Sequence, residues 1–86
     1  MIIETTKTFD KQYSKLNNKI QSIYKNRISI FKDNPFDFRL RNHTLKGKYL
    51  GYRSIDITGN VRALYTVKGN IVIIFGFIGT HNQLYG

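Results

Sequence analysis

The strongest constraint in this sequence is the apolar run from Ile71 to Ile78, eight residues in which Gly76 alone interrupts a series of Ile, Val and Phe. It is far shorter than the roughly 20 residues a membrane helix needs. Its β-branched and aromatic content favours a strand, and its lack of polar alternation requires cover on both faces. A chain built around such a strand must therefore place further strands beside it and at least one helical layer across it.

The flanking sequence supplies both. Tyr52 to Ile57 and Val61 to Val67 alternate in hydropathy, separated by Thr58-Gly59-Asn60, and Lys68-Gly69-Asn70 leads into the apolar strand. Gly followed by Asn tolerates the positive φ of tight hairpins, so the three segments predict an antiparallel meander. Near the N-terminus, Ile2-Ile3 predicts a short strand. Thr6 or Thr8 can cap a helix bearing Phe9, Tyr13 and Leu16 at i, i+4 and i+7, and Asn17-Asn18 can cap a second. In that second helix Ile20, Ile23, Tyr24, Arg27, Ile30 and Phe31 share one face, and Pro35 stops it near Asn34. The fold expected is α+β: an N-terminal strand and an antiparallel helix hairpin packed on a mostly antiparallel four-stranded sheet. Residues 42–48 read as a loop.

At 86 residues the chain is expected to be a single domain spanning 1–86, too small to enclose a deep substrate chamber. With no cysteine, a disulfide framework and thiolate zinc sites are excluded. Met1-Ile2-Ile3-Glu4 lacks the pattern of an export signal, so a cytoplasmic location is expected. The net charge of +9 points to a polyanionic partner: nucleic acid, an anionic membrane surface or an acidic protein. Residues 38–62 carry six Lys/Arg against one Asp, whereas residues 63–86 carry Lys68 alone, so the basic region is the middle of the chain. The helical lysines Lys11, Lys15, Lys19, Lys25 and Lys32 lie mainly off the apolar positions and read as a solvated face or a partner surface. A membrane-surface reading would need the apolar stripe of the second helix, which the core requires.

Few residues can carry chemistry. His43 in the loop and His81 just past the last strand are the two histidines, able to exchange protons near neutral pH or simply to be solvated. With Asp56 they lack the spacing of a metal site. Alternation puts Arg62 on the strand face of Leu64 and Thr66, where its planar fork can hold a phosphate; Arg53 lies on the preceding strand. Asp56, the single acid of the basic region, either neutralises a neighbouring arginine or accepts a proton. Tyr49, Tyr52, Phe77 and Tyr85 can stack on unpaired bases or pack in the core, with Tyr85 in a polar tail the best placed to stack. No dinucleotide fingerprint, phosphate-binding loop, GxSxG or Ser-His-acid order is present.

His43-Thr44-Leu45-Lys46-Gly47, then Gly51-Tyr52-Arg53-Ser54, Arg62-Ala63-Leu64-Tyr65 and Ile78-Gly79-Thr80-His81-Asn82-Gln83-Leu84-Tyr85 together resemble the RelE/ParE superfamily of bacterial toxins, especially its YafQ-like branch. The resemblance spans nearly the whole chain and rests on the order and spacing of the pieces. It implies a type II toxin–antitoxin toxin: a metal-independent, ribosome-dependent endoribonuclease that cleaves mRNA by 2′-OH attack on the adjacent phosphate. It further implies a cognate antitoxin and contact with promoter DNA only through that antitoxin, with no cofactor and no membrane partner. Under it, His81 matches the general acid, His43 the loop histidine, Tyr85 the aromatic that follows, and Arg62 the phosphate-stabilising arginine of RelE-type relatives. Arg41, Lys46, Lys48 and Arg53 are expected to contact RNA.

The chain departs from the branch at Thr44, where a proline is usual, at Asp56, where a histidine is usual, and at Ser54 and Asn60, where aspartates are usual. The general base is then His43 or Asp56, and a carboxylate ringed by Arg53 and Arg62 would be a poor base, which favours His43. The rival reading is a non-enzymatic protein of the same fold, either a ParE-like gyrase inhibitor or a degenerate antitoxin-binding module.

Overall fold

A computed structural model describes residues 1–86. The chain runs β1 (Ile2–Thr5), α1 (Lys7–Ser14), α2 (Asn18–Asp33), β2 (His43–Thr44), β3 (Arg53–Asp56), β4 (Val61–Lys68), β5 (Val72–Thr80) and α3 (His81–Tyr85). Single 3₁₀ turns at Phe38–Leu40 and Gly47–Tyr49 flank β2. The sheet has five strands in the order β1-β5-β4-β3-β2, parallel between β1 and β5 and antiparallel elsewhere. The expected α+β architecture is therefore present, with one strand more than predicted. His43-Thr44, read as loop, pairs with Ser54 and Arg53 as a two-residue edge strand, too short to leave any periodic signal.

Local chemistry places the helices. The Thr6 hydroxyl accepts from the Phe9 N–H at 3.1 Å and the Asn17 side chain from the Ile20 N–H at 2.9 Å, so each helix starts on a side-chain cap. The hairpin lays Phe9, Tyr24 and Phe31 against Tyr65, Phe75, Ile55, Ala63 and Ile78 of the sheet, with the Phe9, Tyr24 and Phe31 rings each in contact with Phe75. Arg27, on the same helical face, reaches past the core to donate to the Ile57 carbonyl at 3.3 Å. Between β4 and β5, Gly69 and Asn70 both have positive φ (63° and 60°), the central residues of a tight turn that the Ile71 N–H closes on the Lys68 carbonyl at 3.3 Å.

One irregularity decides which residues reach the other face. Leu64 pairs with Phe77 and Tyr65 with Phe75, so Gly76 is the extra residue of a β-bulge. Without it Phe75 and Phe77 would share a face. The bulge turns Phe75 toward the helix hairpin and Phe77 to the opposite face, where Tyr49 and Leu84 form a second small core with Leu64. A Cβ at Gly76 would sit 3.1 Å from the Tyr52 ring, which explains why the strand carries no side chain there.

Candidate functional site

The sheet face opposite the helix hairpin is only partly covered, and its open part is a groove of about 320 Å³ lined by Arg41, His43, Leu45, Ser54, Arg62, Leu64, His81 and Tyr85. Pairing register builds its floor: His43 stands opposite Ser54 and Ser54 opposite Leu64, while two residues along each strand Asp56 stands opposite Arg62. Five sequence-predicted residues, Arg41, His43, Arg62, His81 and Tyr85, thus converge. With strands spaced about 4.8 Å apart, β2 and β5 lie roughly 14 Å apart, so His43 at one side and His81 at the other flank Arg62 across a span suited to a single strand of nucleic acid.

The electrostatic centre is Asp56. Its Oδ1 forms an ion pair with Arg62 Nη1 at 3.1 Å, and its Oδ2 lies 3.6 Å from Arg41 Nε. Arg62 also donates to the Gly59 carbonyl at 3.3 Å, which fixes its fork against the β3–β4 turn. Arg41 is 80% exposed and holds a left-handed backbone (φ 49°) at the end of the first 3₁₀ turn. Its carbonyl oxygen is 2.8 Å from His43 Nδ1. Since a carbonyl only accepts, Nδ1 carries the proton there, and Nε2 of a neutral His43 keeps its lone pair for the groove.

The other wall is α3. Thr80 and Gln83 form a reciprocal capping box, Gln83 N–H to Thr80 Oγ1 at 3.1 Å and Thr80 N–H to Gln83 Oε1 at 2.8 Å. The helix places His81 and Tyr85 one turn apart with rings stacked at 4.8 Å. The Tyr49 hydroxyl and the Lys48 ammonium both donate to the Leu84 carbonyl, at 2.7 and 3.1 Å, and tie this tail to the loop after β2. The tail is polar in sequence, and Thr80-x-x-Gln83 within it is the sequence signal for this helix start.

Several expectations need correction. Arg53 alternates with Ser54 and so points to the helix-hairpin face, where its guanidinium lies over the Phe36 ring and Nε donates to Asn42 Oδ1 at 2.7 Å. The cations around Asp56 are accordingly Arg41 and Arg62, not Arg53 and Arg62. Lys48 is engaged by Leu84 and by the Tyr49 ring, and neither it nor Lys46 lines the groove; Lys46 is exposed. Of the two readings open for Tyr49, Tyr52 and Phe77, the packing one is seen: their rings lie 5.1–6.4 Å apart around the second small core. Ser54, which the sequence marks as the end of the Gly51–Ser54 motif and as a departure from the branch but not as a site residue, lies at the groove floor. No three His, Asp or Glu side chains converge in a way that could hold a metal ion, and no helix is long and apolar enough to cross a membrane.

Residues 1–86 match the family described as bacterial toxin of type II toxin–antitoxin system, YafQ. The chain belongs to the YafQ toxin family. None of the curated proteins matches it. Among solved structures it is similar to YafQ from E. coli strain BL21(DE3), with a TM-score of 0.82 and 20% identity over 98% of this chain and 97% of that one. The E. coli DinJ-YafQ toxin–antitoxin complex gives a TM-score of 0.79 at 20% identity, covering 98% and 96%. A YoeB/ParE toxin from Agrobacterium tumefaciens gives 0.77 at 24% identity, covering 94% and 99%. These neighbours share the fold, and the YafQ family match spans the groove, its two histidines and its arginines alike.

Proposed function

We propose that this YafQ-family toxin is an endoribonuclease that cleaves mRNA on the ribosome through the groove between His43 and His81. The observation that carries the reading is the placement of two imidazoles on either side of a fixed guanidinium in one cationic groove. Arg62 and Arg41 neutralise the phosphate and the charge that grows on it. His43 Nε2 takes the proton of the ribose 2′-OH as O2′ bonds to phosphorus. His81, protonated, gives its proton to O5′ as the P–O5′ bond breaks. The products are a 2′,3′-cyclic phosphate and a 5′-OH, and the two histidines exchange protonation states. All of these groups belong to the chain, so the scheme needs no metal ion.

Asp56 in this scheme is the group that orients Arg62, because both its oxygens already face guanidinium groups. Tyr85, 40% exposed beside His81, supplies a ring on which the neighbouring base stacks. The groove is shallow and open, which suits a substrate held in place by a ribosome in the cytoplasm. The +9 charge suits RNA and also an acidic cognate antitoxin that covers the groove, with promoter DNA reached only through that antitoxin. A solved E. coli DinJ-YafQ complex is consistent with such a partner.

Expression of the chain alone in a bacterial host is expected to arrest growth with cleavage of translated mRNA, and His81→Ala is expected to restore growth while the protein stays folded. Growth arrest with intact mRNA and a DNA-damage response would favour gyrase inhibition instead.

A further inference from the structure

Ser54 is 2% exposed, and its Oγ is the single buried side-chain N or O atom with no hydrogen-bond partner. A buried hydroxyl normally finds a partner, and one left without costs stability that alanine at the same place would not. Folding therefore gives no reason for this oxygen. Its place does: it lies on the groove floor, opposite His43 on β2 and two residues before Asp56, whose carboxylate gathers Arg41 and Arg62. A hydroxyl offers one donor and two acceptor sites, and a free donor in a groove that Arg41 and Arg62 also line is set to meet an anion.

The geometry points to Ser54 as a phosphate-binding residue, donating its hydroxyl hydrogen to a non-bridging oxygen of the same phosphate that Arg62 holds; this rests on the groove being the RNA site. The hydroxyl adds a donor from the groove floor to the two arginines that line the same groove, a contact that forms only when the strand is seated. Ser54 then trades fold stability for substrate affinity, a pairing of effects that a structural serine would not show.

The test compares the parent, Ser54→Ala and Arg62→Ala in thermal melting and in binding of a single-stranded DNA hexanucleotide, followed by backbone amide shifts of the groove at low ionic strength. DNA offers phosphates but no 2′-OH, so it reports the phosphate contact without cleavage. Ser54→Ala is expected to melt at or above the parent temperature, by up to about 8 °C, and to bind about 10- to 100-fold more weakly, the usual worth of a hydrogen bond to a charged group. Melting more than about 4 °C below the parent would mean that the hydroxyl has a partner within the fold, and would overturn the assignment. Unchanged DNA affinity would overturn it too, including the case in which Ser54 meets the ribose hydroxyl. Parent-like binding by Arg62→Ala would instead remove the groove reading itself, whatever Ser54 does.

Discussion

Asp56 Oδ1 and Arg62 Nη1 face each other across β3 and β4 at 3.1 Å, and the second carboxylate oxygen turns to Arg41 at 3.6 Å. The pair fixes the one strand-borne cation of the groove, and it occupies both oxygens of the one acid there. If Asp56 orients rather than accepts a proton, Asp56→Asn keeps an oxygen for Arg62 and retains cleavage reduced about tenfold, whereas His43→Ala loses the 10²- to 10⁴-fold that proton transfer typically contributes. Single-turnover cleavage by the two variants distinguishes these roles; the reverse ranking makes Asp56 the base. Asp56→Ala, which leaves two guanidinium groups without a counter-charge, is expected to cost about 1–3 kcal/mol of stability in urea unfolding.

Arg41 and Arg53 are both basic-region arginines, yet they face different layers. Arg41→Ala should lower the slope of log affinity against log salt for RNA by about one while leaving the melting temperature nearly unchanged. Arg53→Ala should do the opposite. It removes the bond to Asn42, whose Nδ2 in turn donates to the Pro35 carbonyl at 2.9 Å and to the buried Tyr65 hydroxyl at 2.7 Å. A salt slope that falls by one in Arg53→Ala would show that its side chain reaches RNA after all.

The Tyr49 hydroxyl anchors the tail that carries His81 and Tyr85. Tyr49→Phe keeps the packing against Phe77 and Tyr85 and deletes only the bond to the Leu84 carbonyl. The expected loss is about 1 kcal/mol, seen as a drop of about 4–8 °C in melting temperature for a domain of this size. Hydrogen exchange of the α3 amides should rise with it. Unchanged protection of α3 would mean that Lys48 and Leu84 packing suffice.

Gly76 and Tyr52 should be coupled. Gly76→Ala pushes a methyl to within 3.1 Å of the Tyr52 ring and is expected to cost about 1–3 kcal/mol. In a Tyr52→Ala background the same substitution should cost markedly less, because the atom it meets is gone. Equal costs in both backgrounds would place the strain in the bulge itself.

The Asp37 carboxyl is held down at about 2 by hydrogen bonds from the Arg39 side chain and N–H. A depressed carboxylate contributes stability above its unfolded value near 3.9 and loses it as pH falls through about 2. The turn Phe38–Leu40, which leads into Arg41, should thus remain ordered at pH 3. An NMR titration of Asp37 with a midpoint near 4 would contradict this.

Much of the architecture was legible because local chemistry agrees with the fold. Thr6 and Asn17 announce their helices, Gly69-Asn70 announces its turn, and the apolar Ile71–Ile78 run announces a strand flanked on both sides. The bulge at Gly76 was not legible, since a uniformly apolar run carries no phase to be reset. Strand β2 was not, because two residues have no period. In the site, alternation in Arg53–Asp56 already separates Arg53 from Asp56. The partner that closes on Asp56 depends on Arg41 entering the left-handed region, which no neighbouring glycine signals. The Ser54 hydroxyl stands out only once its burial and lack of partners are known.

The central claim is that the groove between His43 and His81 cuts RNA. It is tested most directly by adding purified protein to a translating extract and mapping the ends of the mRNA. The account predicts fragments with 2′,3′-cyclic phosphate and 5′-OH ends from the parent and none from a folded His81→Ala protein. Intact mRNA with the parent, or equal cutting by His81→Ala, would contradict it.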